Sequence, residues 1–198
     1  MTDSRTSFAS ALVATLDARD RYTAEHSAVV ALYARDIAAH LGLSTAQQEL
    51  AYISGLVHDI GKIGLPAGLI EKPPDLVTVT DRREVQTHAE MGERILANVD
   101  SYVEVASIVR HHHERWDGQG HPDGLAGEAI PLLSRVIAVA DAYATATSAR
   151  PYVVALPSTA ARVQLTRRSG SDFDPALVAA LEGYDFPPVP SSPELRPS

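Results

Sequence analysis

The sequence predicts an all-α fold, an expectation that rests on three observations. Apolar residues recur at three- and four-residue spacing, no stretch reads strongly as a strand, and glycine and proline cluster between the periodic segments. The 198 residues suffice for one domain with a sizeable core, and a hydrophobic content of 45% is ordinary for a globular chain.

The elements follow in chain order. Phe8, Ala11, Leu12 and Leu16 share a helical face. This first helix, within residues 1–22, is expected to cover the core, with pairing to a second subunit as the alternative. Thr23 is placed to cap a helix over 23–41, where Val29, Val30, Tyr33, Ile37 and Leu41 keep helical spacing until Gly42 ends it. Ser44 with Gln47 forms a capping box for a helix carrying Leu50, Ile53, Leu56 and Val57, which stops by Gly61. Residues 66–74 are broken by proline and glycine and read as a loop. Asp81 with Glu84 is expected to cap a helix through Ala97, and a further helix covers about 101–114. Gly118, Gly120, Pro122, Gly124 and Gly127 make 117–127 a structured loop directly after that helix. Pro131 suits the first turn of a long apolar helix to Ala149, and Asp174-Pro175 starts a last short one. One domain over 23–185 is expected, and residues 186–198, with five prolines, read as a poorly ordered tail.

Composition excludes several chemistries. With no cysteine there are no disulfides, thiolate metal sites or cysteine nucleophiles, so any metal must sit on nitrogen and oxygen; a cytoplasmic location fits. The longest apolar run, 136–149, is interrupted by Asp141, and no signal pattern opens the chain, so no membrane role is expected. Seventeen basic against 25 acidic residues give a net charge of −8, which disfavours duplex nucleic acid. A small anionic ligand still fits if metals and a few basic side chains reverse the sign locally.

Three places concentrate imidazole and carboxylate. His58-Asp59 ends an apolar helix, His111-His112-His113-Glu114 precedes the glycine-rich loop, and Asp141 sits between Ala140 and Ala142. Taken singly, each has a plain structural reading as a hydrogen-bonded helix end, a solvated face or a cap. Asp141 resists that reading most, because a carboxylate on an apolar helix costs several kcal/mol unless it is paired or bound to metal.

Together these residues resemble a known family. His26, His58-Asp59 and Asp141 follow the ordered pattern of the HD phosphohydrolase superfamily, an all-helical fold, and Lys62 completes its lysine-containing variant within HDIGKIGLP. Residues 111–152 are similar almost throughout to the signature of its HD-GYP subfamily. His88 in THAEMG and the Phe173-Asp174-Pro175 element match further parts of that pattern. The resemblance implies a two-metal phosphodiesterase acting on the bacterial second messenger cyclic di-GMP. It implies metal ligands His26, His58, Asp59, His88, His112, His113 and Asp141, with Asp59 bridging and His111 left out. Iron or manganese would occupy the site. Two divalent ions about 3.5–4 Å apart acidify a water between them and clamp the phosphoryl oxygens. Lys62 would offset charge near the attacked phosphate, and Arg150 would grip a substrate phosphate.

The sequence departs from the pattern at several points. Gly120-His121-Pro122 stands where Gly-Tyr-Pro is expected, which places His121 on the substrate side in the tyrosine's stead. Ala144, Val153 and Ala67 replace a second aspartate, a phosphate-contacting lysine and a further aspartate. Tyr22 occupies the position where three-metal relatives carry glutamate, so a binuclear centre is expected, which favours a linear dinucleotide product over GMP. Two other readings stay open: hydrolysis of another cyclic dinucleotide or nucleotide ester, and a module that binds nucleotide or a partner without turnover. Relatives usually carry a sensory domain ahead of this one, so regulation by a partner in trans, or a chain that is a fragment, is also expected.

Overall fold

Side-chain caps at Ser44, Thr78 and Asp174 set three of the helix starts in the computed structural model, which describes residues 4–17, 21–66, 68–70, 72, 74–148 and 154–187. The helices are α1 (Ser4–Asp17), α2 (Arg21–His40), α3 (Thr45–Val57), α4 (Val79–Gln86), α5 (His88–Leu96), α6 (Val103–Arg110), α7 (Leu132–Thr147), α8 (Ser158–Arg167) and α9 (Pro175–Ala180). Short 3-10 turns fall at Ile60–Gly64, Pro74–Leu76, Asp100–Tyr102 and Gly127–Ala129. Among the described residues there is no strand, only an isolated bridge between Ser169 and Phe173. The all-α expectation holds.

α2 is the central element, packed along α3 on one side and α7 on the other. Val30, Ile37, Ile53, Val57, Val136 and Ile137 are buried between them, each contributing about 1.5–3 kcal/mol of transfer free energy against the entropy of ordering. The contact is tight at Gly55, where a Cβ would stand 2.8 Å from the Ala31 Cα. α5 and α6 form a second layer that meets the first through the 3-10 turn Ile60–Gly64 against α5 and through direct packing of α6 on α3 and α7. A Cβ on Gly61 would collide with the His88 carbonyl oxygen and lie 2.6 Å from the Gly92 nitrogen, so two backbones touch at this point.

α1 covers the core, as the sequence reading favours. Ala9 and Leu16 are buried, the Phe8 ring meets Tyr102 edge-on at 5.2 Å, and the Tyr102 hydroxyl donates to the Arg5 carbonyl. Ser44 and Gln47 form the expected capping box, and the Asp174 carboxylate accepts from the Ala176 and Leu177 amides at the start of α9.

Several boundaries differ from expectation. α2 begins at Arg21, two residues before Thr23. Thr78, not Asp81, caps α4; Asp81 is the reciprocal N3 partner that accepts the Thr78 amide at 2.7 Å. The single helix expected over 81–97 is two, divided at Thr87, whose hydroxyl donates to the Glu84 carbonyl at 2.7 Å. α6 stops at Arg110, which leaves all three histidines of 111–113 in the turn beyond it. α8 was not anticipated because only Ala161 and Leu165 of its residues are buried, too thin a stripe to read as periodic. Phe186, assigned to the tail, is buried and stacks on Tyr143 at 4.0 Å; residues 188–198 lie outside the described residues.

Candidate metal centre

His26 comes from α2, His58 and Asp59 from the end of α3, His88 from the first residue of α5, His112 and His113 from the turn after α6, and Asp141 from mid-α7. Residues up to 115 positions apart in sequence thus meet at one place. The donors fall into two half-sites: His26, His58 and Asp59 in the first, and His88, His112 and His113 in the second, with the ligand atoms of each group within 4.8 Å of one another. Asp141 joins the first, its Oδ1 lying 2.8 Å from His26 Nε2. Asp59 stands between the two. Its Oδ2 is 3.3 Å from His58 Nε2 and its Oδ1 is 3.4 Å from His88 Nε2, so one carboxylate oxygen faces each half-site.

Local backbone geometry fixes which ring nitrogen points inward. The Nδ1 of His58 lies 2.8 Å from the Gly55 carbonyl oxygen, that of His88 2.6 Å from Val85, and that of His112 2.5 Å from Val109. A carbonyl only accepts, so each Nδ1 carries a proton and each Nε2 is the atom turned inward; it presents a lone pair in the neutral ring, the form that burial favours for His88 and His112. All three use the carbonyl three residues back, available because each histidine sits where a helix ends or begins. This is the outer contact that metal-bound imidazoles need.

The donor set fits divalent cations. His88 Nε2 and His112 Nε2 face each other at 3.4 Å with a lone pair on each, an arrangement that favours a positive charge nearby. Burial holds the His112 imidazole well below its ordinary pKa, and the positive charge of neighbouring His113 adds to this; burial, then His88, pushes His113 down to about 3. Such rings are neutral at pH 7 and ready to coordinate. Burial alone would raise Asp59, but Lys62 and then His58 outweigh it and keep the carboxylate ionised. Asp141 is also lowered: burial opposes, and the hydrogen bond from His26 and the charge of His58 prevail. Imidazole and carboxylate together suit iron, manganese, cobalt or zinc.

The remaining expected residues are placed as follows. Lys62 Nζ lies 2.6 Å from Asp59 Oδ2, so its cation is held at the bridge between the half-sites. The His121 ring lies 5.0 Å from that of His113, at the rim of the second half-site. His111 turns away, its Nδ1 on the Ser107 carbonyl and its Nε2 on Asp123. Arg150 and Val153 lie outside the described residues, as do Ala67 and the Tyr22 side chain.

Sequence reasoning missed the residues that hold the glycine-rich loop. The buried carboxylate of Glu114 accepts the Asp123 amide at 2.7 Å and the Leu125 amide at 3.1 Å. Arg110 clamps Asp123 with two nitrogens, and Arg115 reaches both Asp117 and Asp172. The one available signal was an acid at a helix end before a segment rich in unpaired amides.

A model of the HD domain matches residues 10–177. The chain belongs to the HD domain family. This HD domain is 36% identical over 167 residues to 3'3'-cGAMP-specific phosphodiesterase 3 of Vibrio cholerae, covering 84% of this chain and 36% of that one. It is 39% identical over 147 residues to the cyclic di-GMP phosphodiesterase response regulator RpfG of Xanthomonas campestris, covering 73% and 39%. The chain therefore spans between a third and two fifths of the length of these curated relatives. Among solved structures, the HD domain of the Listeria monocytogenes phosphodiesterase PgpH superposes with a TM-score of 0.63 at 17% identity, covering 87% of this chain and 93% of that one. A cyclic GMP-AMP specific phosphodiesterase of V. cholerae superposes at 0.67 with 23% identity, covering 87% and 46%. These two likenesses establish the fold. No described helix is long and apolar enough to cross a membrane.

Proposed function

We propose that this chain is an HD-GYP phosphodiesterase domain, residues 23–185 with α1 and Phe186 packed onto the same core, that opens cyclic di-GMP to its linear dinucleotide. The observation that carries the reading is Asp59, whose two oxygens face two separate imidazole half-sites. A pair of half-sites sharing one carboxylate suits two ions that would clamp the attacking and leaving oxygens of an in-line displacement. Relatives named cyclic di-GMP phosphodiesterases support it, among them the Xanthomonas protein at 39% identity and one from Thermotoga maritima at 34%.

His26, His58, Asp59 and Asp141 would hold one ion, and His88, His112 and His113, with the other oxygen of Asp59, the second. When bound, the ions acidify a water and offset the charge on the phosphoryl oxygens. The protein's own part is to keep three Nε2 atoms aimed inward and to hold Asp59 ionised through Lys62. Lys62 also places a positive charge where the phosphate would lie, and Arg150 is proposed to grip a second phosphate with its planar fork.

One specific observation favours a second substrate. Relatives named 3'3'-cGAMP-specific phosphodiesterases match as well, one at 40% identity over 137 residues. A single experiment separates the readings. Protein loaded with manganese or iron is incubated in parallel with cyclic di-GMP, 3'3'-cGAMP and cyclic di-AMP, and the products and bound metal are counted. Linear dinucleotide from cyclic di-GMP, with two ions per chain, is the expected result. Faster cleavage of 3'3'-cGAMP would move the assignment to that substrate, and a metal-loaded protein that cleaves none of the three would be a binding module instead.

A further inference from the structure

We propose that His121 is a fourth imidazole of the second half-site, beside His88, His112 and His113, giving that half a nitrogen-rich set for a divalent transition ion. The inference rests on the metal-dependent reading above, and it moves His121 from the substrate to the metal. Two imidazoles on one ion hold their ring centroids about 5 Å apart, given metal–nitrogen bonds near 2.1 Å and ligand angles between a right angle and tetrahedral. His88 and His113 are 5.0 Å apart and His88 and His112 5.3 Å, while the sequence neighbours His112 and His113 stand closer, at 4.0 Å. His121 stands at the same separation, 5.0 Å, from His113.

The second observation concerns its nitrogen. His121 Nδ1 is buried and has no hydrogen-bond partner among the described residues. The corresponding atoms of His58, His88 and His112 all find a backbone carbonyl. A buried ring nitrogen left without a partner, beside the His113 ring, is free to serve as a ligand atom.

The backbone presents the ring firmly. A Cβ on Gly120 would stand 2.5 Å from the Glu114 Cα and 2.6 Å from the His113 carbonyl oxygen, so the loop lies flat against residues 113–115. The His121 amide donates to that same carbonyl at 3.3 Å, and the buried Glu114 carboxylate ties the following residues down through the Asp123 and Leu125 amides. A tyrosine at this position would offer a neutral phenol with a pKa of about 10, a far weaker ligand than imidazole. The change from tyrosine to histidine therefore alters the donor set of the half-site. Four imidazoles there against carboxylate-rich donors in the first half make the two ions chemically unlike, with the softer metal preferred beside His121.

The test reads metal, not turnover. The full chain and its His121→Ala and His121→Tyr variants are stripped with chelator and titrated with Co2+, following stoichiometry by equilibrium dialysis and ligand field by visible absorption. The wild type should bind two ions. Both variants should bind the second at least tenfold more weakly, with altered visible bands, and added imidazole should restore the bands in His121→Ala. If both variants hold two ions with wild-type affinity and absorption, or if His121→Ala alone is weakened and imidazole does not rescue it, His121 is not a ligand and the metal-dependent reading stands without it. A wild type that binds no ion overturns both.

Discussion

Asp59 is buried between two groups of imidazoles, its two oxygens divided between them, and Lys62 is fastened to one. Removing it should therefore not cost one ligand of seven but the connection between the half-sites. Asp59→Ala is expected to lower affinity for both ions by about 100-fold or more, since loss of even an outer-shell partner typically costs 10–100-fold. Metal analysis after dialysis checks this; loss of one ion with the other retained at full affinity would show that Asp59 serves a single half-site. At this scale much was legible. The seven residues expected from the resemblance come together, and it was the ordered motif that made them readable, since each taken singly has a plain structural reading. What the sequence did not convey is orientation. That Nδ1 of three histidines is held by the carbonyl three residues back depends on where each helix stops, and periodicity locates such ends only to within a few residues. Nor did it convey that Lys62 is held against Asp59, or that Glu114 holds the loop, because both contacts depend on how the chain turns after the motif.

At the scale of elements, the junction of the two layers and the cap of α4 give sharp expectations. Gly61 leaves no room for a side chain, because the obstructing atoms are backbone. Gly61→Ala should destabilise the protein by about 3 kcal/mol or more, at or beyond the upper end of ordinary overpacking, and should loosen metal binding at the same time. Urea unfolding of the metal-free protein measures the first, and an unchanged midpoint would contradict the packing described. At α4, the hydrogen bond from Lys72 and then the Thr78 amide and hydroxyl lower the Asp81 carboxyl to about 2. A depressed carboxylate stabilises above its unfolded pKa of about 3.9 and loses that effect as pH falls toward about 2. Amide protection in α4, taken relative to the intrinsic exchange rate at each pH, should therefore fall as the pH falls through that window, and Asp81→Asn should be less protected already at neutral pH and lose the dependence. The expected helix over 81–97 hid this cap because Asp81 is a helix-starting residue in its own right; Thr78, three residues earlier, competes for the same role and wins by reciprocal bonding.

For the whole molecule, α1 is part of the domain's packing and not an appendage. Leu16 is 2% exposed within the common core, so Leu16→Ala should cost about 2–5 kcal/mol, read as a lowered urea midpoint with an unchanged slope. A shift below about 0.5 kcal/mol would mean α1 detaches in solution. The all-α class was readable from spacing alone, whereas α8 and the burial of Phe186 were not, since both depend on partners distant in sequence: Phe186 lies against Tyr33 and Tyr143. The contact of Gly61 with residues 88–92 reaches further than stability. It joins the segment carrying Asp59 to the helix carrying His88 through main chain, so the spacing of the half-sites is set by two backbones in contact for as long as Gly61 keeps its bare Cα. On the function proposed above, a lineage adapting this domain to a different cyclic dinucleotide would find the pitch of its centre locked and would have to change the rim instead. Selection for altered substrate preference should accumulate its substitutions in residues 117–127 and in the segment after Gly64, leaving the floor of the site untouched.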